Sequence, residues 1–245
     1  MRIAVAGGTG VVGSHVVEVA RTRGHEVVVL ARAEGVDLTT GAGLRERLEG
    51  VEAVIDVTST RSQSRKKAEA FFGGVTRNLL GAEAAVGAAH HVVLSIVGID
   101  DVPSGYYQGK QHQERLVAEG GVPWSILRAT QFHEFAEQAL DFMRVGPFSL
   151  VPQMLSQPIA AVEVAEALVD LAEAGPSGRV PDLAGPEQLR MADLSRRVSR
   201  ARGLGRRVVP LRVPGAMGRS MRAGGLLPTS DGPRGRRTFG EWLGS

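Results

Sequence analysis

The chain opens with a short run of strand-like residues, Arg2 to Ala6, followed at once by Gly7-Gly8-Thr9-Gly10-Val11-Val12-Gly13 and an amphipathic stretch to Thr22. No other feature restricts the fold as much. A strand, a glycine turn and a helix in direct succession, with a second strand candidate from Glu26, form the opening of a βαβ unit. The run satisfies Gly-x-Gly-x-x-Gly from Gly8 and Gly-x-x-Gly-x-x-Gly from Gly7. Such glycines permit the tight turn, let a pyrophosphate approach the backbone and let the helix pack closely on the strand. The helix amino terminus offers the phosphates N–H groups and partial positive charge. Gly7, Thr9, Gly10, Val11, Val12 and Gly13 are therefore candidate contacts of a dinucleotide, against the alternative of a merely structural turn.

Beyond this unit, apolar β-branched runs keep alternating with amphipathic stretches, which predicts a doubly wound parallel α/β sheet covered on both faces. Strands are expected at Arg2–Ala6, Glu26–Ala31, Glu52–Val57, His91–Ile96 and Trp124–Arg128. Helices are expected at Val11–Thr22, Leu44–Leu48, Lys66–Ala88, Gln108–Glu119 and Phe132–Arg144, with Gly73 and Gly74 weakening the third. After Gly146 the prolines 147, 152 and 158 break the rhythm, before a helix at Val162–Ala174, a strand near Arg179–Leu183, a helix at Met191–Arg202 and a strand near Val208–Leu211. Residues 1–150 are thus expected to form a nucleotide-binding core. Residues 151–245 would complete the fold as a small carboxyl-terminal substrate-binding region, with Gly224–Arg237 as loop.

Composition removes several classes of function. With no cysteine among 245 residues, disulfides, thiolate catalysis and thiolate metal sites are excluded. No histidine spacing points to a metal site. No apolar stretch approaches bilayer-spanning length and glycines interrupt the first apolar run too early for a signal peptide, so a soluble cytoplasmic chain without a membrane partner is expected. The net charge of +3 conceals thirteen arginines between Arg190 and Arg237, against Asp193 and Asp231 alone. Nucleic acid is not favoured as their partner, because aromatics are almost absent there. A solvated basic face or a subunit contact accounts for them equally well, leaving monomer and homo-oligomer both open.

The end of the second strand usually decides which dinucleotide binds, through a carboxylate on the ribose 2′-hydroxyl. In Val28-Val29-Leu30-Ala31-Arg32 that place holds Arg32, whose guanidinium suits a 2′-phosphate. NADP(H) is the expected cofactor, with Glu34 and Asp37 close enough to leave NAD(H) open. The alternative is an ordinary surface arginine.

The segments GGTGVVGSHVV (Gly7–Val17), LSIVGID (Leu94–Asp100), GYYQGKQHQERL (Gly105–Leu116) and PWSILRATQFHEF (Pro123–Phe135) resemble the atypical short-chain dehydrogenase/reductase superfamily, in particular its NmrA-like NAD(P)H-binding branch. The resemblance spans roughly residues 1 to 175 and implies a Rossmann core with NADP(H) along the carboxyl ends of its strands. It further implies an oxidoreductase moving hydride to or from a small carbonyl, enone or quinone. The alternative within that branch is a non-catalytic redox sensor of NmrA type.

Tyr106-Tyr107-Gln108-Gly109-Lys110 contains Tyr-x-x-x-Lys, one helical turn apart. In reductases of the superfamily such a tyrosine passes a proton to the substrate oxygen, while the lysine lowers its pKa and bonds the nicotinamide ribose. Tyrosine, titrating near 10, needs a nearby cation for that task. Lys110 is one of three lysines beside 26 arginines, and Ser95 is the natural third member, although eleven residues before Tyr106 is closer than usual. The alternative reading of the tyrosines is as aromatic walls of the cofactor cleft. By the same resemblance Ala129-Thr130-Gln131-Phe132 lies over the nicotinamide, and Thr58 joins the cofactor contacts. Phe132, His133 and Tyr107 face substrate. A hydrogen-bonded structural role for His133 is the alternative, and Arg128 reads as a core ion-pair partner.

Overall fold

A computed structural model describes residues 1–245. In chain order its elements are β1 (Arg2–Ala6), α1 (Val11–Thr22), β2 (Glu26–Leu30), α2 (Leu44–Leu48), β3 (Ala53–Asp56), α3 (Arg65–Val86), β4 (His90–Ile96), α4 (Gly105–Glu119), β5 (Trp124–Ala129) and α5 (Phe135–Gln138). Then come β6 (Arg144–Val145), β7 (Phe148–Pro152), β8 (Leu155–Ser156), α6 (Ala161–Ala174), β9 (Gly178–Arg179), β10 (Leu189–Arg190), α7 (Met191–Ala201), β11 (Arg207–Leu211), α8 (Gly215–Arg222) and α9 (Phe239–Leu243).

The chain divides into two compact units that interleave along the sequence. One comprises Met1–Ser95, Ser104–Arg128 and Val162–Val180, the other Ile96–Pro103, Ala129–Ala161 and Pro181–Ser245. Residues 129–150, expected within the nucleotide core, thus cluster with the second unit, and Val162–Val180 with the first.

The first unit is built on a six-stranded parallel sheet ordered β2-β1-β3-β4-β5-β9. β1 pairs with β2 on one side and β3 on the other, so the strand order reverses beside β1. In open α/β sheets ligands bind outside the carboxyl ends of the strands at that point. The strands read as nearly continuous apolar runs because helices cover both faces, and every residue of β3 is buried. Leu44 and Leu48 of α2 and Val75 and Leu79 of α3 pack on Val28, Leu30 and Val54 of the sheet.

Gly73 does not interrupt α3. It allows close contact with α4: a Cβ there would stand 2.8 Å from the His112 ring, as one at Gly109 would from the Ala68 Cβ. That crossing fixes α4 against α3 and so fixes Tyr106 and Lys110. Arg128 is an ion-pair partner, as expected: its Nε and Nη2 donate to Glu114 at 2.8 and 2.7 Å, and Arg179 adds a 2.6 Å bond to the same carboxylate.

The second unit holds the three-stranded sheet β11-β7-β6 and the pair β10-β8. The helix expected at Phe132–Arg144 is reduced to the four residues of α5. Phe132 forms a parallel bridge with Ile159, and His133 N–H donates to the Ile159 carbonyl at 3.0 Å. Strand-like pairing thus claims its first turn, while Arg144 is claimed by β6. In the basic tail the structure adds two helices, α8 and α9. Thr238 caps α9 reciprocally with Glu241, a Thr-x-x-Glu signature that was readable in the sequence.

Candidate dinucleotide site

At the end of β1 the backbone turns through Gly7, whose φ of 82° lies in the left-handed region that favours glycine. A Cβ at Gly7 would stand 2.9 Å from the Val57 carbonyl oxygen, and one at Gly13 would stand 2.1 Å from the Gly7 carbonyl oxygen. The loop and α1 therefore sit against the neighbouring strand ends at a separation only glycine permits. Gly10 N–H closes the turn onto Gly7 O at 2.9 Å. Gly10 is also the residue before α1, extended at φ −81° and ψ 178°, with no side chain capping the helix. The amides of Val11, Val12 and Gly13 precede the first helical bond, Ser14 N–H to Gly10 O, and are free to meet an anion. A Cβ at Gly10 would meet only Gly7 O, at 3.3 Å. Thr9, Gly10 and Val11 are exposed, whereas Val12 and Gly13 are buried and can contribute backbone alone.

Beside the loop, at the carboxyl ends of β3 and β4, two buried hydroxyls have no hydrogen-bond partner, Thr58 Oγ1 and Ser95 Oγ. Thr58 N–H donates to Asp56 Oδ1 at 2.8 Å. Buried polar groups are nearly always paired, so a glycine cradle with orphaned hydroxyls at the same sheet edge fits a polar ligand such as a dinucleotide.

Arg32 follows β2 in a short 3₁₀ turn, Arg32–Glu34, and its side chain is 80% exposed. The nearby acids are engaged. Asp37, 3.8 Å from Arg32 Nε, accepts from the Thr39 hydroxyl and amide at 2.6 and 2.9 Å. Those bonds, then Arg32 itself, hold its carboxyl below the usual range. Glu34 pairs with Arg47 at 2.8 Å. The Arg32 guanidinium remains open to a phosphate.

The structure does not assemble Ser95, Tyr106 and Lys110 into a bonded triad. The Tyr106 hydroxyl is 3.0 Å from Ser59 Oγ, and its ring stands edge-on to Phe72 and Tyr107. Burial raises its pKa, only partly offset by Ser59, and no cation lowers it. Tyr107 is pushed up to about 12 by burial, with Tyr106 adding. Lys110 turns inward: Nζ donates to Leu94 O at 2.6 Å and to Gln113 Oε1, and lies 4.9 Å over the Phe72 ring. Gln113 Nε2 passes the link to Asp56 Oδ2 at 2.8 Å, ending on the carboxylate that orders Thr58. Burial drops the Lys110 ammonium to about 8 against the pull of Asp56 and Glu114. Sequence reasoning missed Ser59, Asp56 and Gln113. Ser59 lies 47 residues from Tyr106, and no local pattern joins them.

In the second unit, Ala129 bridges to Leu183, and Thr130 spends its hydroxyl on Gln157 O at 2.6 Å. Gln131 is the residue of this segment whose side chain is left over, with both amide atoms buried and unbonded. Phe132 is half-buried. His133 is fully buried, its ring 5.4 Å from Phe239 and 5.6 Å from Trp242, and its Nε2 is 3.2 Å from Arg237 O. This is the structural role, and it corrects the assignment of His133 to substrate.

A parallel sheet with a glycine cradle at its switch point defines a Rossmann-type dinucleotide-binding protein. Residues 7–174 match the NAD(P)H-binding family, and the chain belongs to it. Quinone oxidoreductase 2 of Escherichia coli is 24% identical over 220 residues, covering 82% of this chain and 74% of that protein. The solved structure of an NADPH-dependent quinone oxidoreductase from Escherichia coli superposes with a TM-score of 0.71 at 20% identity, over 99% of this chain and 98% of that one. A nucleoside-diphosphate-sugar epimerase from Staphylococcus aureus gives 0.70 at 17% identity, with each chain wholly covered. UDP-glucose 4-epimerase from Thermus thermophilus, solved with NAD, gives 0.69 at 22% identity, again over the whole of both chains.

Proposed function

We propose that the chain is an NADP(H)-dependent oxidoreductase whose substrates are quinones or similarly electron-poor conjugated carbonyls. The observation that carries this reading is the inward turn of Lys110, which leaves the Tyr106 hydroxyl on Ser59 with its pKa raised. A tyrosine in that state is a poor proton relay for reducing a simple aldehyde or ketone. A quinone needs none, since one hydride, carrying two electrons and a hydrogen, and one proton drawn from water yield the hydroquinone. The curated relative, a quinone oxidoreductase, supports the same substrate class.

When bound, the nicotinamide supplies the hydride. The amides of Val11, Val12 and Gly13 would hold the pyrophosphate, Arg32 the 2′-phosphate, and Thr58 and Ser95 would turn their hydroxyls to the ligand. Lys110, Gln113 and Asp56 order the strand ends from beneath, and the Tyr106 ring serves as a wall.

Two results are expected. NADPH binds more tightly than NADH, and Arg32→Ala removes the difference, about 1.5 to 3 kcal/mol, the scale of a charged hydrogen bond. Calorimetric titration of both cofactors measures this, and an NADH preference in the unmodified chain would reject the NADP(H) assignment. In a screen of NADPH oxidation, quinones and enones are consumed and aldehydes are not, with rates for Tyr106→Phe within about threefold of the original. A loss of about 10² to 10⁴ would restore Tyr106 as a working acid.

A further inference from the structure

Asp56, Gln113 and Lys110 form a buried polar bridge inside the first unit, and its two ends reach the backbone of Thr58 and Ser95, the residues whose buried hydroxyls lack partners. At one end Asp56 Oδ1 accepts the Thr58 N–H at 2.8 Å. At the other, Lys110 Nζ donates at 2.6 Å to Leu94 O, the carbonyl of the peptide that leads into Ser95. Gln113 joins the two. Its Oε1 accepts from the Lys110 ammonium while its Nε2 donates to Asp56 Oδ2 at 2.8 Å, so the amide is held one way round, between a cation and an anion. The glycine turn meets the same strand end, since a Cβ at Gly7 would stand 3.1 Å from Thr58 N.

Charge on such a bridge is felt at both ends, because hydrogen bonds in series polarise one another where the dielectric is low. The ammonium strengthens Gln113 as a donor to Asp56. A neutral amine leaves Asp56 a buried carboxylate without its cation. The other charged groups acting on this set are Glu114 on α4 and His91 on β4, whose ring is paired with Glu83 of α3 at 2.9 Å. An anionic ligand at the glycine edge adds negative charge beside the bridge and favours the ammonium. Lys110 is already buried, so the ligand adds little desolvation to oppose this.

We propose, resting on the dinucleotide reading of this sheet edge, that cofactor binding is coupled to the protonation of Lys110, with Gln113 as the positioning residue that carries the coupling to Thr58 and Ser95. Burial drops Lys110 to about 8, within reach of titration, and moves Tyr106 and Tyr107 upward, away from that range. Below that value the ammonium is already present. Above it binding must draw a proton in, so affinity falls as pH rises.

Calorimetric titration with NADPH from about pH 7 to about pH 9.5, in pairs of buffers that differ in ionisation enthalpy, reads affinity and proton uptake together. For the original chain Kd is expected to rise about fivefold or more across that range, the usual size of a coupling between two sites, with a fraction of a proton taken up per NADPH at the alkaline end. Lys110→Met should flatten the profile and abolish the uptake. Gln113→Met should flatten it too although Lys110 remains, whereas a residue needed only for packing would lower stability and leave the slope intact. Thermal melts check that both variants are folded. Binding of NADPH by the original chain with a flat Kd and no proton uptake needs no variant to interpret, and it would overturn the coupling while the dinucleotide reading stands. A slope retained in folded Gln113→Met would overturn it as well. No NADPH binding at any pH would overturn the dinucleotide reading, and the coupling with it.

Discussion

Gly10→Val should lose NADPH affinity by roughly 10² to 10⁴, the value of one or two charged hydrogen bonds to backbone amides, while the protein stays folded. Gly10 already has a φ of −81°, which any residue adopts, and a Cβ there meets only Gly7 O, at 3.3 Å. Replacing glycine at a helix cap with a β-branched residue costs about 1 kcal/mol. The side chain would instead occupy the open space before the first turn of α1, where the proposed pyrophosphate would lie. Gly13→Val should behave differently. Its Cβ would be 2.1 Å from Gly7 O and 2.7 Å from Gly8 Cα, so loop and helix must separate, at a cost of about 3 kcal/mol or more. Denaturant melts and cofactor titration on both variants separate the effects. Retained affinity in Gly10→Val would mean that the loop does not cradle phosphate.

The second large effect concerns Lys110 and pH. Its pKa falls from 10.5 to about 8 in the folded chain, chiefly through burial. Between those values the unfolded chain binds more protons, so this group makes stability rise with pH. Its penalty is fully present below about pH 8 and gone above the unfolded value. The shift corresponds to about 3 kcal/mol. Lys110→Met removes the titration but leaves Leu94 O and Gln113 Oε1 without their donor. Its stability near neutrality should therefore change little, while the original gains about 3 kcal/mol on the variant from pH 8 to 10.5. Denaturant melts across that range measure it, and parallel pH curves would show that Lys110 is not a buried cation.

The nucleotide half of the fold was legible because each signal was local. Strand, glycine turn and helix lie within the first 22 residues, and α1 and α2 fall on their expected bounds. Cβ contacts supply what spacing lacks, separating Gly13, which the fold requires, from Gly10, which it does not. What the sequence concealed depends on distant partners. The Tyr-x-x-x-Lys spacing places two side chains one turn apart, yet Leu94 O and Gln113 draw Lys110 inward while Ser59 takes the Tyr106 hydroxyl. Phe132 and His133 had helical periodicity, but Ile159 claimed their backbone.

The most direct measurement of the central claim is anaerobic quantification of hydroquinone formed from a soluble quinone with NADPH, on the original chain and on Gly10→Val. One hydroquinone is expected for each NADPH consumed by the original chain, and next to none with the variant. No hydroquinone from the original chain, or equal rates from both proteins, would contradict reduction at the glycine edge of this sheet.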